Sequence, residues 1–204
     1  MSIPLLTTTL IPEISDFKLS RTERINKSKF TEASQVISSP TGLWTASLKF
    51  SNIRRADAQE LIAFLWALRG SFGQFRLFDW SSPNADGTGG QYFITDVASA
   101  LPGMVKMSSV HANTKIASAG NYVEINGELK GLVADVVTDN FGVANVIFEP
   151  FLRVPANAAT MIRFDQPTGV FRLEPGYEVP RPTSKKMVLA EITIPCIEYV
   201  TATN

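Results

Sequence analysis

Hydrophobic and polar residues alternate most regularly in residues 44–50 of this chain. The apolar positions take every second place in this stretch, and they are Trp44, Ala46, Leu48 and Phe50. Successive side chains of a strand point to opposite faces, so the alternation predicts a strand with one buried face. The turn-forming residues 39–42 mark where that strand begins.

A helix with one apolar face is predicted over residues 57–69. Asp57 and Glu60 occupy its first turns, where the positive end of the helix dipole favours acidic side chains. Gly70 suits the left-handed position that ends many helices. Apolar residues recur at spacings of three and four, at Ala58, Leu61, Ile62, Leu65 and Leu68.

Phe64 and Trp66 widen the apolar arc of this helix beyond one face. A surface helix needs only one apolar stripe, so the helix is expected to lie between layers or to contact a neighbouring subunit. Phe64 and Trp66 are therefore candidate subunit-interface residues. The alternative, that both are ordinary core residues, fits the pattern equally well.

An aromatic strand and a boundary loop follow the helix. Residues 74–78 read as a packed strand, and residues 81–90 consist almost entirely of turn formers. The loop lacks the acidic spacing of a calcium loop and the Lys-Ser/Thr ending of a phosphate-binding loop. We therefore predict a domain boundary there.

Short apolar runs separated by turn signals fill residues 91–173. Asn126-Gly127 lies between two such runs and is a strong signal for a two-residue hairpin. Five or six short strands at this spacing predict a small β-barrel or sandwich. The proline-rich residues 174–182 mark its far boundary.

Residues 186–200 form the last apolar stretch and predict a strand pair or one long strand. Pro195 within it suggests an edge strand or a bulge. A segment this apolar is expected to be buried, and the simplest surface for it to pack against is the first domain. The prediction is one domain of residues 1–80 and 183–204, with residues 81–182 inserted into it.

The composition and net charge limit the classes of function that this chain can have. The chain has 204 residues, 45% of them hydrophobic, with 19 basic and 19 acidic side chains. Zero net charge favours self-association over nucleic-acid binding. A basic stretch at residues 21–29 is best interpreted as a solvated hairpin, with a surface for nucleic acid or for an acidic partner as the alternative. The N-terminus lacks a basic signal region, so a soluble protein made in the cytoplasm, with no membrane segment, is expected.

Candidate catalytic residues are few. His111 lies in a polar segment without a nearby acid, and Cys196, the one cysteine, is flanked by apolar residues. Asp135 and Asp139 lie near a predicted hairpin turn, so their spacing does not define a catalytic pair. The sequence therefore predicts no enzyme, no metal site and no cofactor.

Two stretches of the chain carry a series of short motifs. Residues 60–80 combine a helix ending in L-R-G with G-x-F-R-L. Residues 119–173 carry, in order, A-G-x-Y, I-x-G-x-L, V-x-D, E-P-x-L-R and G-V-F-R-L. In this order the motifs resemble those of the distal tail proteins and related minor tail proteins of long-tailed bacteriophages.

The resemblance implies a fold and a function. The fold would be mainly β with one main helix, comprising an N-terminal β-sandwich-like domain covered by the helix, closed by a C-terminal strand, and an inserted barrel similar to an oligonucleotide/oligosaccharide-binding (OB) fold. The protein would form a ring, usually hexameric, between the tail tube and the baseplate or tip. Its partners would be the tail tube protein, the tape-measure protein and other tail-tip hub proteins. Phage DNA would pass through the ring without specific binding, in a virion assembled in the bacterial cytoplasm.

Such structural proteins share no catalytic set, so no catalytic residue is carried over. The packing prediction is that the helix is anchored on its sheet by Leu61, Phe64, Leu65 and Leu68. The alternative function is a carbohydrate- or receptor-binding module of a phage tail, in which Trp80, Tyr92 or Tyr122 would be exposed stacking platforms. A tail-associated hydrolase is the third possibility.

Overall fold

The computed structural model describes residues 3–6, 10–101, 103–180 and 188–200. The chain is mainly β, as predicted, and its described residues include a single α-helix. In chain order the elements are β1 (Ile14–Ser20), β2 (Glu23–Lys27), β3 (Ser34–Ser38), β4 (Leu43–Arg54), α1 (Arg55–Ala67), a short 3-10 helix (Gly70–Phe72), β5 (Phe75–Leu77), β6 (Gln91–Leu101), β7 (Met104–Ser108), β8 (Lys115–Ala117), β9 (Tyr122–Ile125), β10 (Glu128–Leu132), β11 (Val136–Val137), β12 (Val143–Glu149), β13 (Met161–Arg163), β14 (Gly169–Leu173) and β15 (Val188–Glu198).

A five-stranded antiparallel sheet, in the order β1-β4-β15-β14-β5, carries the helix. The alternation predicted in β4 is confirmed, because Trp44, Ala46, Leu48 and Phe50 are all buried. These side chains join one apolar core with the buried residues of α1. The opposite face of the sheet is lined largely by polar side chains of intermediate exposure.

Helix α1 runs directly out of β4 and begins two residues earlier than predicted. It ends at Ala67, and the left-handed turn expected at Gly70 is present, with φ of 70°. Arg69 shares that conformation at φ 54°, which is uncommon for a residue with a side chain. Two consecutive left-handed residues redirect the chain into the 3-10 turn and then into β5.

A closed barrel of six strands, in the order β10-β12-β7-β6-β13-β9, forms the second structural unit. All six strands fall within residues 81–182, the segment predicted to be inserted. Asn126 and Gly127 connect β9 to β10, and their φ values of 53° and 78° are those of the predicted two-residue hairpin turn. A separate core fills this barrel.

Strand β14 corrects the predicted content of the inserted segment. The sequence predicts that Gly169–Leu173 belongs to the barrel, but this strand pairs with β5 on one side and β15 on the other. Phe171 and Leu173 are fully buried in the core beneath the sheet. The chain therefore returns to the sheet before the proline-rich segment, since only there do these two side chains find apolar partners.

Strand β15 corrects the expectation of an edge strand or bulge at Pro195. It is the third of five strands, and its pairing with β4 runs through Pro195 opposite Ser47. The proline carbonyl accepts a hydrogen bond from Glu174 N, just beyond the end of β14. The proline nitrogen points to the same side, where β14 has ended, so no ladder hydrogen bond is lost.

The two edges of the sheet differ. Along β5, the backbone of Arg76 exchanges hydrogen bonds with Pro4 and Leu6, so the N-terminal arm covers that edge. Strand β1 pairs only with β4, and no described strand covers its outer edge. An open strand edge is a surface on which another chain can add a strand.

Candidate functional site

Strands β2 and β3 form an isolated two-stranded ribbon, which we call the hairpin arm (residues 23–38). They pair only with each other, and all ten of their residues are exposed. Ile25 lies directly opposite Val36, and the two side chains are 64% and 57% exposed. A lone hairpin in water is marginally stable at best, so a ribbon with exposed apolar pairs favours a partner surface.

The predicted basic hairpin is thus present, and its connecting residues add to the exposed apolar area. Phe30 is 99% exposed, and Ile37 on the other face of the ribbon is 53% exposed. The basic side chains of Arg24 and Lys27 flank these apolar positions. The arm can therefore offer both apolar contact and positive charge to one partner.

The predicted helix residues divide into buried and exposed positions. Leu61 and Leu65 are fully buried and Leu68 is 5% exposed, all within the core beneath the sheet. Phe64 is half-buried, with its ring packed edge-on against Phe75 at 5.9 Å between centroids. Trp66 is 56% exposed and lies outside that core.

A buried ion-pair junction joins the barrel to the sheet. Arg153, just after β12, donates to both carboxylate oxygens of Glu198 on β15, at 2.8 and 2.9 Å. The Glu198 carboxylate also accepts the backbone N–H of Trp44 at 3.0 Å. Paired hydrogen bonds between planar charged groups fix orientation as well as distance.

The same junction contains a fully buried lysine. Lys130 Nζ donates to Glu128 at 2.6 Å and to the carbonyl of Phe151 at 3.1 Å. Burial lowers the pKa of Lys130, and the neighbouring Glu128 carboxylate opposes that shift. Glu128 also lies 3.6 Å from Arg153, so the four charges form one cluster.

A second polar contact is made by Arg76, the central residue of β5. Arg76 Nη1 donates to Glu124 of β9 at 2.8 Å and to Thr168 Oγ1 at 2.7 Å. Glu124 accepts two further hydrogen bonds, from the backbone N–H and the hydroxyl of Thr168. Glu124 is thus a buried carboxylate whose hydrogen-bonding capacity is largely used.

Aromatic side chains complete the contact between sheet and barrel. Trp44 packs edge-on against Tyr122 at 5.4 Å, and its indole N–H donates to Leu129 O at 2.9 Å. Burial and then the Asp79 carboxylate raise the pKa of Tyr122 to about 12. Leu129, on barrel strand β10, belongs to the core of the sheet, so the two units share apolar packing.

A cleft of about 750 Å³ lies beside the second polar contact, and we call it the junction cleft. Its walls come from the sheet, from the connecting loop and from the barrel. Five of the polar residues that line it, together with one aromatic ring, are Arg76, Asn84, Gln91, Arg163, Gln166 and Phe78. Asp165 stands at its rim, where Gly90 N donates to its carboxylate at 2.8 Å. Glycine suits position 89, because its φ is 55° and a Cβ there would press on the Asp165 carboxylate.

The aromatic residues considered as stacking platforms are not free. Tyr122 is held between Phe17 and Trp44. Trp80 lies 4.4 Å from the Phe78 ring, and Tyr92 packs on Phe164 within the barrel. All three are only partly exposed, whereas that alternative expects exposed rings.

The candidate catalytic residues do not form one cluster, and the contacts they make stabilise the fold. His111 is exposed, and its carbonyl accepts the Thr138 hydroxyl. Cys196 is buried in the sheet core, and burial raises the pKa of its thiol to about 12. Asp135 accepts Ala119 N and pairs with Lys115, whereas Asp139 accepts two turn amides.

The residues that the structure describes lack both a metal-binding cluster and a long apolar helix. They contain no cluster of three or more His, Cys, Asp or Glu side chains that could hold a metal ion. They also contain no helix with the length and apolar character needed to cross a bilayer.

Sequence reasoning did not find the ion-pair junction or the junction cleft. Arg153 and Glu198 are separated by 45 residues, and Arg76 and Glu124 by 48. In the sequence, none of these four charged residues can be distinguished from an ordinary surface charge. Their burial follows only from the way the barrel packs against the sheet.

Comparison with protein-family models finds no match for this chain. Comparison with curated proteins finds none either.

Proposed function

We propose that this protein is a structural component of a bacteriophage tail tip that works by assembling into a ring. The ring, with six copies as the expected number, would join the tail tube to the baseplate or tip and surround the DNA channel. The barrel would be OB-like and lie to the outside, and the sheet with its helix would form a sandwich-like ring domain. The tail tube protein, the tape-measure protein and tail-tip hub proteins would be its neighbours.

The observation that carries the proposal is the hairpin arm. Ile25 and Val36 form an exposed apolar pair on a ribbon that no other described element covers. A ribbon of this kind gains stability from a surface that buries the pair, and in a ring that surface belongs to the adjacent copy. The uncovered outer edge of β1 supplies a second place where copies can meet.

The resemblance in sequence supplies the phage context, and the order of elements supports it. A helix-covered sheet is interrupted after β5 by a complete barrel and resumes at β14. The two stretches that carry the resemblance fall on α1–β5 and on β9–β14. The first stretch therefore lies in the helix-covered sheet, and the second covers part of the barrel and ends on the sheet strand β14.

The open face of the sheet is compatible with a channel that DNA crosses without binding. Four of its charges form two pairs, with Lys18 beside Asp16 at 2.6 Å and Lys49 beside Glu191 at 3.2 Å. Strong binding to DNA requires several unpaired cations that displace counterions from the phosphates. The paired charges of this face would therefore contribute little to binding of the duplex.

Light scattering coupled to size exclusion, followed by negative-stain microscopy, tests the proposal. Six copies of the 22.3 kDa chain would have a mass of about 134 kDa and a ring outline. The double variant Ile25→Lys/Val36→Lys should abolish the ring while leaving the monomer folded. Phe141→Ser is the matched control, because Phe141 is 82% exposed but lies on the barrel.

Two outcomes would reject this assignment. A chain that stays monomeric at every concentration and beside purified tail tube protein would not be a ring component. Assembly that survives the arm variant as well as it survives Phe141→Ser would remove the arm from the interface.

A further inference from the structure

We propose that the junction cleft is a binding site for a hydroxyl-rich anion, such as a sugar acid or a sugar phosphate, with Arg163 as the residue that binds its carboxylate or phosphate group. The site is built within one chain, between sheet and barrel. It therefore stands independently of the ring proposed above.

The first argument is the state of the Arg163 guanidinium. Its side chain is 30% exposed, yet its one ion-pair contact among the described residues is Glu124, at the long distance of 3.8 Å. No described atom accepts a hydrogen bond from its buried Nε. A buried N–H group usually has a hydrogen-bond partner, so the unpaired Nε leaves the Arg163 guanidinium short of acceptors.

Glu124 supplies none of those acceptors at hydrogen-bond distance, since it lies 3.8 Å from Arg163. One of its oxygens accepts Arg76 at 2.8 Å, and the other accepts the backbone and hydroxyl of Thr168 at 3.0 and 2.8 Å. The carboxylate is therefore committed to holding Arg76 and Thr168. A second anion on the cleft side of Arg163 would provide the acceptors that Glu124 does not.

The second argument is the composition of the cleft walls. Arg76 and Arg163 are the positive side chains that line the cleft, and Asp165 is the negative one. Arg76 is already paired with Glu124, so Arg163 is the cation that remains to bind an anion. Guanidinium groups bind carboxylate and phosphate through paired hydrogen bonds. The volume of about 750 Å³ is within the range that holds a small organic ligand rather than a single ion.

The remaining lining groups suggest hydroxyl groups on the ligand. Asn84, Gln91 and Gln166 carry primary amides, each of which both donates and accepts hydrogen bonds. A hydroxyl group does the same, so amides at several points around a cleft match a polyol. Phe78 contributes one apolar wall against which C–H groups of a sugar ring can pack.

Titration calorimetry on the full chain, with three small probes, tests this assignment. Glucuronate carries a carboxylate, glucose 6-phosphate carries a phosphate, and glucose carries neither. We expect one or both anions to bind and glucose to bind at least about tenfold more weakly. The stronger anion identifies which group the site prefers.

Variants locate the site. Arg163→Gln should weaken anion binding about tenfold or more, and Arg163→Lys should retain part of it, because lysine keeps the charge but not the paired geometry. Arg24→Gln, on the hairpin arm, removes one positive charge elsewhere and should leave binding unchanged. Unchanged melting temperatures in all three variants would show that the comparison concerns binding and not folding.

Several results would overturn the inference. One is the absence of heat for both anions, and another is equal binding of glucose and glucuronate. A third is an Arg163→Gln chain that binds as tightly as the unmodified protein. None of these results bears on ring assembly, which is measured by mass and microscopy.

Discussion

The substitution Glu198→Gln tests how strongly the ion-pair junction stabilises the protein. Glu198 is 3% exposed at its side chain, and its oxygens accept hydrogen bonds from Arg153 Nη1, Arg153 Nη2 and Trp44 N. All of its partners are donors. A glutamine has the same shape but places an NH₂ donor against at least one of these donors.

The expected loss of unfolding free energy depends on the contacts that Arg153 keeps after the substitution. The guanidinium is only 13% exposed, and after the substitution its nearest carboxylate is Glu128 at 3.6 Å. Removing one partner of a buried pair costs about 3–5 kcal/mol, because the other charge stays buried. We expect the lower end, about 3 kcal/mol, since Glu128 and the Gly42 carbonyl remain beside Arg153.

Thermal and urea unfolding, at one fixed protein concentration, measure this effect. A loss of about 3 kcal/mol corresponds to a fall of about 6–12 °C in Tm for a chain of this size. Glu191→Gln is the matched control on the same strand, because its side chain is 53% exposed and pairs with Lys49 at the surface. That control should change stability by less than about 0.5 kcal/mol.

Salt separates the two pairs further. About 1 M salt shortens the screening length to about 3 Å, so any effect of Glu191→Gln should disappear. The effect of Glu198→Gln should persist, because its pair is shielded from the solvent ions. A Glu198→Gln chain as stable as Glu191→Gln would refute the view that this junction holds the barrel on the sheet.

Three further predictions concern the helix, the cysteine and a hairpin turn. Trp66→Ala should weaken self-association in light scattering more than it lowers Tm, because Trp66 is 56% exposed. Leu65→Ala is the comparison, since Leu65 is fully buried and its truncation should lower the urea-unfolding free energy by about 2–5 kcal/mol. Equal losses of association and Tm in Trp66→Ala would return that residue to the core. Cys196, whose pKa burial raises to about 12, should resist iodoacetamide at pH 8 in the folded chain and react once the chain is denatured, as followed by mass spectrometry. Gly127→Ala should lower the urea-unfolding free energy by about 1–2 kcal/mol, because φ at this turn is 78°.

Features of the fold that depend on local periodicity could be predicted from the sequence. The alternation in β4 and the spacing of Leu61 and Leu65 each reflect one element with one buried face. The hairpin turn at Asn126 and Gly127 depends on two adjacent residues. In each case the physical cause lies within a few positions of the chain.

Features that depend on pairing between distant strands could not be predicted in this way. The Gly169–Leu173 strand has the same alternation as a barrel strand, and only its partners, β5 and β15, show that it belongs to the sheet. Pro195 suggested an edge because sequence alone cannot show that β14 has ended beside it. The junction cleft has the same origin, since residues from Leu5 to Thr168 line it.

The packing between sheet and barrel has a consequence for both proposals. Leu129 of the barrel lies in the core of the sheet, and Arg153 reaches Glu198 on β15 from the end of a barrel strand. Two units that share a core and a buried ion pair should unfold together and hold a fixed mutual orientation. A ring subunit needs that rigidity, because each copy must present the same arm to the next. The junction cleft needs it too, because its walls come from both units and its ligand groups would otherwise move apart.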